Sequence, residues 1–145
     1  MENEEKRRSY FLRKETQKSA LPVRLQAYER LSLFLERISP ERLLVRLHST
    51  GLTSQQYQNL LVESIRNEFE HNVAQQIYVS EESWKLVVDA KSATVGIINN
   101  IARDFKPESD AMRLRKTILN RTMEIESFPT KRALRYLKAE VKKSF

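Results

Sequence analysis

The stretch EFEHN, residues 68–72, sets Glu68 and His71 three positions apart. On a helix that spacing brings a carboxylate and an imidazole onto one face, as in the carboxylate-rich metal sites of helical bundles. Such a site needs further ligands from neighbouring helices. No second Glu-x-x-His is present, and nothing in the spacing of Glu63, Glu70, Glu81 and Glu82 requires them to converge. The commoner meaning of the pattern is a surface ion pair. His48 is the only other histidine, and there is no cysteine, so disulfides, thiolate ligands and a cysteine nucleophile are excluded. Serine is plentiful, but the chain has only two glycines, Gly51 and Gly96. Glycine-rich phosphate loops, dinucleotide fingerprints and the Gly-x-Ser-x-Gly elbow all need more. The expectation is therefore a noncatalytic protein without a cofactor.

Basic residues are the other candidates for chemistry. The net charge is +7, and residues 103–145 hold twelve basic against six acidic groups. Arg113, Arg115, Lys116 and Arg121, then Lys131, Arg132, Arg135 and Lys138, followed by Lys142 and Lys143, are numerous enough to contact phosphates. This supports nucleic-acid binding as an alternative function, although basic helix faces more often serve solubility. A second basic group opens the chain: Lys6, Arg7, Arg8, Arg13 and Lys14 surround a short apolar strip, Tyr10 to Leu12. That strip gives self-association a possible surface. Asn99 and Asn100 read as helix–helix hydrogen-bonding groups or exposed positions, and Trp84 as a core anchor.

The elements that position these residues are helices. Few glycines among abundant Leu, Arg, Glu, Lys and Gln predict an all-α fold, an irregular bundle of six or seven helices with short connections. A charged helix over residues 1–20 precedes a single helical domain over 21–145, with Pro22 ending the first helix and opening the second. Ala27, Tyr28, Leu31, Phe34, Leu35 and Ile38 recur at steps of three and four and mark the strongest core face. Ser39-Pro40 starts a short helix to about His48, and Ser49-Thr50-Gly51 stops it. Thr53 or Ser54 caps a long helix with Tyr57, Leu61, Ile65, Phe69 and Val73 inward, after which IYV at 77–79 reads as a brief extended link. Ser80 caps a helix of about 81–105, in which Gly96 reads as a close helix crossing, or as a kink. A helix of about 109–126 turns Ala111, Leu114, Ile118 and Ile125 inward, and a last one offers Leu134, Leu137 and Val141.

The segments LPVRLQAYERLSLFLERISPERLLVRL (21–47), IRNEFEHNVAQQIYVSEESW (65–84) and FPTKRALRYLKAEVKKSF (128–145) resemble an uncharacterised bacterial family of all-helical domains of unknown function. The resemblance covers nearly the whole chain and carries no catalytic role to any residue. It implies an N-terminal transmembrane helix followed by a charged run like ENEEKRR, with Met1 standing where that helix would end. The chain then looks like the cytoplasmic part of a protein anchored at the inner face of the membrane, or a member without the anchor. It would act through contacts with an unidentified protein partner, with Lys6, Arg7, Arg8, Arg13 and Lys14 near an anionic membrane surface. Glu2, Glu4 and Glu5 would weaken that attraction.

Overall fold

The computed structural model describes residues 2–145, with side chains placed for all of these except residues 2 and 15–19. The junction expected at Met1 lies outside the described residues. The fold is all-α, with short connections between its helices: α1 (Glu2–Ile38), α2 (Pro40–Arg46), α3 (Ser54–Asn72), a 3-10 turn (Val73–Tyr78), α4 (Glu81–Ala102), α5 (Ala111–Met123) and α6 (Pro129–Ser144). Among the described residues the sole β pairing is an isolated bridge between Thr53 and Asp110, which ties the loop before α3 to the loop before α5.

Helix α1 corrects the expectation of a break at Pro22. It runs unbroken for 37 residues with Pro22 inside it, about 55 Å of rise. Proline's fixed φ is helical, and the cost of its missing N–H is met here because good helix formers flank it and the following turns are anchored by burial. That anchoring begins at Ala27. From there Tyr28, Leu31, Phe34, Leu35 and Ile38 are all buried, whereas the described side chains of residues 3–14 and 20–23 are exposed. The body thus holds the C-terminal third of α1, and residues 3–14 and 20–23 belong to a solvated arm.

The core is one cluster. Tyr57, Leu61 and Ile65 of α3, Val87 and Ile98 of α4, Leu114 and Ile118 of α5, and Leu137 of α6 close on the buried face of α1 and on Leu43 and Leu44 of α2. Burying each such side chain contributes about 1.5–3 kcal/mol. Phe69 extends the core toward Trp84, stacked at 5.5 Å between centroids, and Trp84 is half-buried in its predicted anchoring place.

Local signals explain most boundaries. Thr53 forms a full capping box with Gln56, Ser80 accepts from the Ser83 amide, and Asp110 accepts from the Met112 amide. Gly51 sits at φ +76°, the left-handed conformation that favours glycine, and turns the chain between α2 and α3. Four further expectations are corrected. Gly96 does not mark a close crossing, since a Cβ there would meet nothing within 4 Å. α4 ends at Ala102 rather than near 105, and Phe105 packs on the core from the following turn. α5 ends at Met123, so Ile125 falls in the turn and is exposed instead of inward. The IYV segment is extended only at Val79, its first two residues belonging to the 3-10 turn.

Candidate interaction surfaces

The arm of α1 carries Lys6, Arg7, Arg8, Arg13 and Lys14, all exposed. At 3.6 residues per turn, positions seven apart nearly superimpose, so Arg7 and Lys14 share one edge of the helix and Lys6 and Arg13 share another, about 100° away. Tyr10 lies between these edges, with the Lys14 ammonium 5.3 Å over its ring. Tyr10 and Phe11 are 63% and 64% exposed, unusual for two adjacent aromatic side chains.

A groove of about 500 Å³ runs between α1 and α6. Leu25, Tyr28, Leu134, Leu137 and Val141 give it apolar walls, and Leu33 stands at its edge with 56% of its surface exposed. The two rims differ in sign. Glu29 and Glu36 line the α1 side, and Lys138 and Lys142 the α6 side. Glu36 also meets Arg42 at 3.4 Å in an exposed pair, worth little in water.

The basic residues of α5 and α6 stand on helices with different packing partners. α5 packs on α2, α3 and α4, and α6 packs on α1 and α4. Arg115 is half-buried and donates from Nε to the Leu44 carbonyl at 3.2 Å, fastening α5 to α2. It also lies against the buried Tyr57 phenol, whose pKa burial raises and whose hydroxyl donates to the Leu47 carbonyl at 2.8 Å. Arg121 pairs with Asp104 at 3.6 Å, Lys131 with Glu41 at 3.7 Å, and Arg135 donates to the Ser127 hydroxyl at 3.0 Å. Arg113, Lys116 and Arg132 are exposed, and Lys138 belongs to the groove rim.

Glu68 has a different partner from the one its neighbour His71 suggested. Arg37 donates from Nε and Nη2 to one Glu68 oxygen at 2.8 and 2.6 Å, and Arg46 approaches the same oxygen at 3.3 Å. The hydrogen bond to Glu68 raises the Arg37 pKa further. Two guanidinium groups therefore stand where a cation at Glu68 would have to bind, and His71 is exposed. No three His, Asp or Glu side chains gather into a metal-holding group among the described residues. The two asparagines divide between their expected roles. Asn99 accepts from Gln58 at 2.9 Å across α3 and α4, and Asn100 is exposed.

One polar cluster went unnoticed in the sequence. Glu140 of α6 accepts from the Tyr28 hydroxyl of α1 at 3.0 Å and, in a short bond, from the Ser83 hydroxyl of α4. The Tyr28 oxygen in turn accepts from the Ser80 amide at 3.3 Å. Burial pushes the Glu140 carboxyl up, but hydrogen bonds from Ser80, Ser83 and Tyr28, with the charge of Arg24, outweigh it and hold the pKa below the usual carboxylate value. A serine hydroxyl on a carboxylate is the start of a nucleophile–base pair. Here Ser83 has no exposed surface and Glu140 is half-buried, and with Tyr28 the pair joins α1, α4 and α6. Beside it Tyr136 donates to Glu82, a bond that pushes the phenol up to about 12.

The described residues thus form a helical body with a projecting charged arm, an apolar groove with oppositely charged rims and buried polar ties. The chain belongs to the family of unknown function DUF7935, whose profile matches residues 1–144. No curated protein and no solved structure matches it.

Proposed function

We propose that the chain is a noncatalytic helical interaction domain, the cytoplasmic part of a protein held at the inner face of a membrane, and that it works through protein contacts. The observation that carries this reading is the arm of α1. It is one helix with the core, so it presents its charged and aromatic side chains at a fixed angle to the body. Lys6 and Arg13 on one edge suit an anionic lipid surface, where each basic group contributes about 1 kcal/mol. No helix among the described residues is long and apolar enough to cross a membrane, so any span lies outside them.

Cosedimentation with vesicles tests the membrane contact. Binding to phosphatidylcholine–phosphatidylglycerol vesicles, absent on pure phosphatidylcholine and weakened about tenfold by Lys6→Ala with Arg13→Ala, supports it. Equal behaviour on both vesicles contradicts it. The second reading, nucleic-acid binding, draws on the exposed Arg113, Lys116 and Arg132. It predicts an affinity for DNA or RNA that falls steeply with salt, and absence of retardation at low salt ends it.

A further inference from the structure

We infer that the protein contact made by the arm is with a second copy of this chain: two α1 helices pair antiparallel, and the arm of each lies in the α1–α6 groove of the other. This names the partner for the interaction domain proposed above and rests on that reading.

The warrant is a pattern of charge along α1. Arg7 and Lys14 are seven apart in the arm, and Glu29 and Glu36 are seven apart on the groove rim. All four fall within about 60° of one another around the helix. Set two copies antiparallel with Leu21 of one facing Pro22 of the other. Lys14 then falls opposite Glu29 and Arg7 opposite Glu36, because the members of each pair are equally far from the two-fold axis. Both pairs occur twice, once in each half of the isologous contact.

Apolar surface follows the same register. Phe11 arrives beside Leu33, the exposed leucine at the groove edge, and Leu21, 38% exposed, lies near the axis. Each copy thus supplies both the exposed Phe11 and the apolar groove that receives it. Lys138 and Lys142 on the far rim repel the basic edge of the incoming arm. They leave it one favourable orientation, with Arg7 and Lys14 turned toward α1.

Charge exchange tests the register. Two variants, Arg7→Glu with Lys14→Glu and Glu29→Lys with Glu36→Lys, each place like charges opposite one another throughout the homodimer. Arg7, Lys14 and Glu29 are exposed and Glu36 is half-buried beside Arg42, and circular dichroism checks that folding is kept. By sedimentation velocity the native chain is expected to be a dimer at micromolar to near-millimolar concentration. Each double variant should raise the dissociation constant at least about tenfold. Mixing the two variants should restore a dimer, as should the chain carrying all four substitutions. A native chain that stays monomeric, or variants that dimerise unchanged, would overturn the inference. A monomer that still binds anionic vesicles overturns it while leaving the membrane reading intact.

Discussion

Glu140 fixes three helices through one carboxylate, and its cost of removal can be stated. Glu140→Ala leaves the buried Ser83 hydroxyl and the Tyr28 hydroxyl without their acceptor, which should destabilise the fold by about 1–3 kcal/mol in denaturant titrations at neutral pH. The same group makes stability depend on acid. Its folded pKa lies below the unfolded value of about 4.3, so its contribution is complete above that value and is lost as pH falls through the depressed folded value. The Ala variant should therefore lose part of the acid limb of the stability profile, and an unchanged profile would remove Glu140 from that role. None of this was visible in the sequence, because Tyr28, Ser83 and Glu140 are far apart along the chain and only packing of α1, α4 and α6 joins them. Arg37 and Arg46 on Glu68 were hidden for the same reason.

At the scale of helices, local chemistry carried further. Thr53, Ser80 and the Ser49-Thr50-Gly51 stop act within a few residues, and each is where the pattern placed it. The apolar spacing of residues 27–38 marked the buried face of α1 for the same reason: helical periodicity is a local property. Pro22 and Gly96 misled because their local preference was overridden. Burial after Ala27 and strong helix formers on both sides carry α1 through the proline, and α4 is held along its length by core contacts that tolerate a glycine. Gly96 is consequently a cost without a structural return. Its helical backbone and the open space around it predict that Gly96→Ala stabilises the chain by about 0.5–1 kcal/mol, read as a shift of the unfolding midpoint. A loss of stability would indicate that something packs against that position.

At the scale of the whole molecule, the charged opening of the chain acquires a purpose. Buried within its own body, α1 needs only its last dozen residues, and the remaining length is out of proportion to that task. The proposed antiparallel pairing uses it: the basic arm of each copy answers the acidic rim of the other. The seven-residue spacings of Arg7 with Lys14 and of Glu29 with Glu36 are present in the sequence, but the groove beside α6 that sets an apolar floor next to the acidic pair arises only from packing. The most direct measurement uses the absence of cysteine in the native chain to place single spin labels at Phe11→Cys or at Leu21→Cys and reads dipolar distances between copies. Antiparallel pairing predicts a short distance at position 21, near the axis, and an axial separation of about 30 Å at position 11. Short distances at both positions, or no dipolar coupling at either, would contradict it.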